Sequence, residues 1–427
     1  MTNITAEYKK VITLLDNSKG LGIRPGLTAI EGLLSLMGDP HKGLKYIHIA
    51  GTNGKGSTSA FIASILIEAG YKVGVYNSPY TSKINETIKI NNKEISDSEL
   101  LAIILKISSL IEGSGLDKNS YPTEFEIITS AALMYFCQES CDLVVLEVGM
   151  GGRLDATNII PCPEVAVITP IGMDHMGFLG NTLEAISYEK SGIIKSQGTV
   201  ISSQQEKEAL EVIKRVSEEK KASLKVVNNK DIFIEEEDIT GQTLSYKDYV
   251  SLKITLLGKH QRENAALAVE AIEVLINNGY SISRKDLYQG LLKATWPGRF
   301  QIMRKEKPLF IRDGAHNIQG AQALHNTLIH YFPDKKITFI LGFLRDKSFK
   351  EILELIGPIA KTVFLVTPNS PRALSAEELA EAAGKYFNDI HIVKDIDRTV
   401  EYLIKEAGDD EIICAFGSLY FIGEIEI

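Results

Sequence analysis

The sequence predicts a two-domain α/β protein, and three observations carry that expectation. KYIHIA, Lys45 to Ala50, reads as a short buried strand, is followed by the glycine turn GTNGKG, and runs into SAFIASILIEAG, whose apolar residues recur at helical spacing. Two further segments, Leu143 to Val148 and Glu164 to Thr169, are nearly continuous apolar runs, as expected of strands covered on both faces of a parallel sheet. Over residues 309–427, LFIRD, ITFILG, TVFLVT, IHIV and EIICAF each precede a helical pattern, which implies a second, mostly parallel sheet with right-handed crossovers. A chain of 427 residues, 44% of them hydrophobic, has the material for two cores.

The turn Ala50 to Thr58, AGTNGKGST, has the chemistry of a phosphate cradle. Gly51, Gly54 and Gly56 allow positive φ and a close backbone approach, so N–H groups can face an anion at the start of the following helix. Lys55 brings a mobile positive charge, and Ser57 or Thr58 a hydroxyl suited to Mg²⁺. The spacing departs from the common P-loop, because Gly51 is three residues from Gly54 and Gly56 separates Lys55 from the hydroxyl. The other reading is a glycine-rich turn that binds nothing.

GTNGKGST resembles the ATP loop of the Mur ligase superfamily, and more narrowly that of the folylpolyglutamate synthase and dihydrofolate synthase family; the resemblance runs from about Pro25 to the C-terminus. It implies an N-terminal P-loop-type ATPase domain over residues 1–296, carrying the folate site, and a C-terminal Rossmann-like α/β domain over 297–427 that contributes to glutamate and ATP binding. Gly51, Thr52, Asn53, Gly54, Lys55, Gly56, Ser57 and Thr58 would then hold ATP. About fifty residues precede the loop, too few for the extra domain with which muramyl-peptide members hold a UDP-sugar.

Composition narrows the function classes. A formal net charge of −9 argues against non-specific nucleic-acid binding, so an anionic ligand needs a local basic site and the expected partners are small molecules. The four cysteines, Cys137, Cys141, Cys162 and Cys414, lack CxxC spacing and the density of a secreted scaffold, which points to a reducing, cytoplasmic setting. The start, MTNITAEYKKVITLLD, has lysines within its apolar stretch and no cleavage site, and LLAIILKISSLI is interrupted by Lys106 and short for a bilayer, so neither a signal peptide nor a membrane span is expected. The chain is expected to act as a monomer.

Along the first domain, a helix is expected from about Leu27 to Met37, then the phosphate loop, a strand YKVGVY and ETIKI as an edge strand. Asn77, Ser78 and Pro79 match the family's serine-proline loop, whose serine ligates Mg²⁺, although Tyr80 stands where the family usually has His; without the resemblance NSPY reads as a turn. Thr123 and Glu126 form a capping-box pattern before a helix to Cys137, and that alone accounts for them. By resemblance, Thr123 and Phe125 line the pterin pocket. Glu147 ends a buried strand where a lone carboxylate costs several kcal/mol, so it needs a cation, either Mg²⁺ beside a nucleotide or a basic side chain. In GMGGRLD, Arg153 and Asp155 match folate-contacting residues, and His175, after the next strand, matches a family Mg²⁺ ligand. The helical stretch from Asn181, expected at its N-cap, to Lys195 contains Lys190, a solvated lysine on its own terms; in the family's EKxGI motif this lysine is carbamylated. Asn264 matches the HQxxN position that contacts ATP, and Arg299 in WPGRF can donate to phosphate in bidentate fashion.

In the second domain, DGAHN suggests Asp313 for ATP and His316 for the incoming amino acid, and Ser418 in GSLY matches a residue near the glutamate pocket. Asp313 and Ser418 can equally be helix N-caps. The whole implies an ATP- and Mg²⁺-dependent ligase that adds L-glutamate to a folate or dihydropteroate carboxylate, with Lys55, Lys190 and His316 as catalytic residues. The alternatives are another Mur-type ligase acting on a cell-wall precursor and a P-loop regulatory ATPase.

Overall fold

The computed structural model describes residues 22–80, 83–114, 121–408 and 410–425, together with residues 11, 15, 18 and 427. The N-terminal stretch 1–16, read above as no signal peptide, lies outside them except for Val11 and Leu15. By its contacts the chain forms two compact units, one of Met1–Lys230 and Asn264–Leu291, the other of Asp231–Glu263 and Leu292–Ile427.

The first unit is built on eight strands: β1 Tyr46–Ala50, β2 Val73–Tyr76, β3 Ile88–Ile90, β4 Lys93–Glu94, β5 Leu143–Glu147, β6 Val165–Ile168, β7 Thr199–Ser202 and β8 Ser223–Val226. Their order in the sheet is β4-β3-β2-β5-β1-β6-β7-β8. Strands β2, β5, β1, β6, β7 and β8 run parallel, and every residue of β1, β5 and β6 is buried, as their unbroken apolar runs require. ETIKI supplies β3, but the short β4 pairs with its outer side, so the edge position falls to Lys93–Glu94. Charged residues on a very short edge strand keep it from pairing with another chain.

Because β1 has β5 on one side and β6 on the other, its C-terminal end is the point where the sheet's strand order reverses, the place where α/β sheets bind ligands. The helix Lys55–Glu68 leaves from that end and is buried on nearly all sides. Its back is closed by the helix Arg284–Lys293, where Gly290 lies so near that a Cβ would fall 2.3 Å from Ile65 Cα. Thr123 and Glu126 form the expected capping box on the helix Glu124–Gln138. The expected cap at Asn181 is displaced by one residue: Thr182 is the N-cap, its hydroxyl accepting from Ala185 N at 3.2 Å, and the helix is Leu183–Ser191. Threonine caps as asparagine does, so neighbouring candidates are not separable by type. The run LLAIILKISSLI lies in the helix Asp97–Ser114, which buries only one face, and among the described residues no helix is long and apolar enough to cross a membrane.

The second unit has a three-stranded antiparallel sheet, β9 Ile232–Asp238, β10 Gly241–Tyr246 and β11 Tyr249–Ile254, and a six-stranded sheet of order β12-β13-β17-β14-β15-β16. The latter comprises β12 Gln301–Arg304, β13 Leu309–Asp313, β14 Ile337–Leu341, β15 Ala360–Leu365, β16 Ile390–Ile392 and β17 Ile412–Phe416. Only β12, which the apolar pattern did not suggest, is antiparallel. Residues 231–263, expected with the first domain, group with the second unit. The physical reason is a partly buried polar knot: Arg262 pairs with Glu237 and donates to Gln242 Oε1 at 2.5 Å, while His330 Nε2 and the Tyr331 hydroxyl sit 3.1 Å and 3.4 Å from the same Glu237. Leu257 joins the core formed by Leu324 and Leu328.

Gly290 generates a direct stability test. Gly290→Ala must push the backbone of the Lys55–Glu68 helix aside, and overpacking of that kind costs about 1–3 kcal/mol. Chemical denaturation should show that loss; a variant as stable as the parent would contradict the packing described.

Candidate active site

The loop after β1 has the conformation expected from its glycines. Gly51 has φ of 149° and Gly54 of 86°, and Gly54 is the N-cap of the helix that begins at Lys55. Space forbids other residues as firmly: a Cβ on Gly51 would lie 1.8 Å from Thr169 Oγ1, and one on Gly54 would lie 2.4 Å from Asn264 Oδ1. The second contact brings Asn264, far away in sequence, to the loop. Gly56 is helical and owes nothing to positive φ.

The loop is also fastened from the side. Thr52 N and Asn53 N donate to Pro170 O at 2.9 Å and 3.3 Å, and the Thr52 hydroxyl both donates to Gly172 O and accepts from Gly172 N, at 3.1 Å and 3.0 Å. Those two N–H groups are therefore engaged within the protein. An anion over the loop would face the first-turn N–H groups of the helix.

Charge gathers at the same edge. Glu147, at the end of β5 and paired in register with Ile49, is buried; its Oε2 accepts from Asn77 Nδ2 at 2.7 Å and its Oε1 lies 3.8 Å from Lys55 Nζ. Of the two cations considered for Glu147, the basic side chain is the one seen, since Lys55 pairs with it. Lys55 Nζ also donates to Thr52 O at 3.3 Å, so the lysine is folded back over its own loop. Lys190, expected at a helix end, is 3% exposed and donates to Gly51 O at 2.8 Å. Burial, with repulsion from Lys55, pulls its ammonium down to about 7, against the opposing pull of Asp174 and Asp155. A solvated lysine is excluded, and the amine is available in its neutral form near neutral pH.

Among the described residues no group of three or more His, Cys, Asp and Glu side chains is arranged for a metal. Mg²⁺ does not require one: it binds through one or two protein oxygens and substrate phosphates and keeps its waters. The carboxylate of Glu147 and the buried hydroxyl of Ser57 on the first turn after the glycines are donors of that kind. Ser78 follows Asn77, which holds Glu147. His175 sits in the left-handed region with φ of 52°, and its Nε2 is 3.8 Å from Asp174 Oδ2.

The residues expected at a folate lie beyond the C-terminal end of β5. Phe125 packs on Gly149, where a Cβ would fall 2.5 Å from Cζ, and its ring is tilted against Tyr76. Thr123 is buried in its capping box. Asp155 is buried and accepts from Met150 N at 2.8 Å and from Thr157 N and Oγ1 at 3.0 Å and 2.6 Å; burial raises its carboxyl. The Thr157 hydroxyl in turn is 3.0 Å from Nε2 of the fully buried His48, held neutral by burial. Since that hydroxyl donates to the carboxylate, His48 carries its proton on Nε2. Arg153 pairs with Glu189 at 2.8 Å and lies over the Tyr188 ring. His48 and Thr157 were not singled out by sequence, and Asn77 was named only as part of the serine-proline loop, not as a partner of Glu147.

In the second unit, Asp313 ends β13 and accepts from Phe300 N at 2.6 Å and Ala315 N at 2.7 Å, and burial raises its carboxyl while nearby Arg299 lowers it. It is not a helix N-cap; Asn317 caps the helix Ile318–Tyr331. The Arg299 guanidinium lies on Gly314, where a Cβ would fall 2.0 Å from Nη1. His316 Nδ1 is 2.8 Å from Gly314 O, so this nitrogen donates to the carbonyl. Ser418 is an N-cap, accepting from Tyr420 N at 3.2 Å.

Comparison with known proteins divides the chain between residues 272 and 298, and so places residues 231–263 with the first domain, unlike the contact-based units. The Mur ligase middle domain matches residues 49–272, and the Mur ligase, glutamate ligase domain matches residues 298–419. The chain is 38% identical over 413 residues to the dihydrofolate synthase/folylpolyglutamate synthase of Bacillus subtilis, covering 95% of each. Among solved structures it is similar to Mycobacterium tuberculosis folylpolyglutamate synthase complexed with ADP and AMPPCP, with a TM-score of 0.87 and 31% identity over 98% of this chain and 97% of that one. It is also similar to Escherichia coli FolC in complex with DHPP and ADP, with a TM-score of 0.84 and 29% identity over 97% and 96%. A phosphate loop of this spacing, a buried lysine against it and a second α/β unit matched as a glutamate ligase domain all agree: the chain belongs to the folylpolyglutamate synthase/dihydrofolate synthase family of Mur ligases.

Proposed function

We propose that this chain is an ATP-dependent ligase that adds L-glutamate to the carboxylate of a tetrahydrofolate, and to dihydropteroate as a second acceptor. The observation that carries this reading is the phosphate loop with Lys55 folded over it and Lys190 buried against its Gly51 carbonyl. In the reaction, a carboxylate oxygen of the acceptor attacks the γ-phosphorus of ATP, giving an acyl phosphate and ADP. The glutamate amine then attacks the acyl carbon, loses a proton, and phosphate leaves with the original carboxylate oxygen. No side chain becomes covalently bonded.

In this reading Gly51 to Thr58 and Asn264 hold the nucleotide, the helix N–H groups and Lys55 meeting its phosphates. Lys55 leaves Glu147 as the phosphates arrive and moves to the charge that develops in transfer. Glu147 and Ser57, with Ser78 and His175, would hold Mg²⁺, which when bound neutralises phosphate charge. Lys190 in its neutral form would take up CO₂ as a carbamate oriented at that site. Thr123, Phe125, Arg153 and Asp155 would bind the folate, Arg153 exchanging Glu189 for substrate. In the second unit, Arg299 and Asp313 would serve the nucleotide, and His316 and Ser418 the glutamate. The protein is proposed to work as a cytoplasmic monomer. ADP release tests the reading: it should require L-glutamate together with tetrahydrofolate or dihydropteroate, and ADP release indifferent to the acceptor would overturn it.

Two variants probe the charges. Lys55→Ala should fold, less stably because Glu147 loses its cation, and lose about 2.7–4 kcal/mol of transition-state stabilisation, a hundredfold or more in turnover. Near-normal turnover would remove Lys55 from the mechanism.

With isotopically labelled bicarbonate, the parent protein should give a carbamate NMR signal that Lys190→Met lacks. In buffer free of CO₂ the sign of the pH effect is also fixed. The folded-state value of Lys190, about 7, lies below the ordinary 10.5, so the penalty for burying its charge is fully present below pH 7 and is relieved as pH rises towards 10.5. The parent should therefore gain stability relative to Lys190→Met over that window. Equal slopes for the two proteins would contradict the buried amine.

A further inference from the structure

Gln205 lies outside every motif singled out above, five residues after the buried Val200 of β7. Its side-chain amide is nevertheless fully engaged with the backbone that follows β6. Oε1 accepts from Ile171 N at 2.9 Å, and Nε2 donates to Thr169 O at 3.0 Å, with Ser203 Oγ and Ser202 Oγ at 3.0 Å and 3.3 Å. One planar group thus grips the segment on both sides of Pro170.

That segment is the one to which the phosphate loop is fastened. Thr169 N donates to Ala50 O at 2.8 Å, Pro170 O accepts from Thr52 N and Asn53 N, and Gly172 exchanges two hydrogen bonds with the Thr52 hydroxyl. Gly51 approaches Thr169 too closely for any Cβ. The turn therefore has no independent conformation; it takes its shape from residues 169–172, and Gln205 holds those residues. Pro170 has no N–H, and the Thr169 carbonyl and the Ile171 N–H are claimed by the Gln205 amide, so few other contacts can replace it.

We infer that Gln205 is a positioning residue for the phosphate loop, acting through Thr169–Gly172 and the Thr52 clamp to set how tightly ATP is held. The inference rests on reading the loop as the ATP site. Removing the amide leaves two backbone groups of the 169–171 segment unpaired and lets the loop relax, so the loss falls on the nucleotide.

The test compares Gln205→Leu, Thr52→Val and the double variant with the parent protein, measuring KM for ATP, glutamate and tetrahydrofolate, kcat, thermal midpoint and direct binding of a non-hydrolysable ATP analogue. Each single variant should raise KM for ATP and weaken the analogue by about tenfold, with KM for the other two substrates unchanged. Because both act through one segment, the double variant should be little worse than the worse single, whereas independent packing defects would multiply. Thr52→Ser, which keeps the hydroxyl, should restore ATP binding. The inference is overturned if Gln205→Leu binds the analogue as the parent does, if all three KM values rise together in step with a lowered thermal midpoint, or if the effects multiply. A parent protein that binds no ATP analogue would instead defeat the nucleotide reading, and the inference with it.

Discussion

The cost of removing charge from water governs the carboxyl edge of the first unit's sheet. Glu147, Lys55 and Lys190 are drawn together where β1, β5 and the following loops end, and none of the three is well solvated. Glu147 satisfies its carboxylate with Asn77 and Lys55, whereas Lys190 has a carbonyl as its hydrogen-bond partner and a second lysine nearby. Its lowered proton affinity expresses burial first and the repulsion of Lys55 second. A carbamate on that amine, or the phosphates of a nucleotide over the loop, supplies negative charge there, and electrostatic interactions in such a site are stronger than in water.

The same edge shows how topology turns sequence-distant residues into one arrangement. The strand order places β5 and β6 on either side of β1, so the loops after all three converge. Asn264 and Lys190 then reach the phosphate loop from two different helices, and Gly290 allows a third helix to close its back. Small residues at these points are spatial necessities. The rigidity that results suits a site that must stabilise charge without reorganising at the moment of reaction.

What could be read from the sequence follows the range of the interactions. The phosphate loop was legible because its cause is local: glycines at positive φ between a buried strand and a helix. The Thr123 capping box was legible for the same reason, and so was the α/β alternation of residues 309–427. The environment of Lys190 was not derivable from its own segment, since its burial depends on Gly51, far along the chain, and only the EKxGI resemblance pointed to it. Gln205 gave no local signal at all, because its hydrogen bonds all go to backbone and hydroxyls. The grouping of 231–263 escaped notice because Glu237, Gln242 and Arg262 read as ordinary surface polar residues until Tyr331 and His330 are brought beside them. Asp313 looked like a cap by its position before a helix, yet its carboxylate is turned to Phe300 and Ala315.

Isotope transfer examines most directly whether the γ-phosphoryl of ATP passes to the acceptor's carboxylate before glutamate adds. Tetrahydrofolate labelled with heavy oxygen in its terminal carboxylate is turned over with ATP and glutamate, and the released phosphate is analysed by mass spectrometry. An acyl phosphate predicts one labelled oxygen in each phosphate formed. Unlabelled phosphate released in step with amide formation would contradict the account.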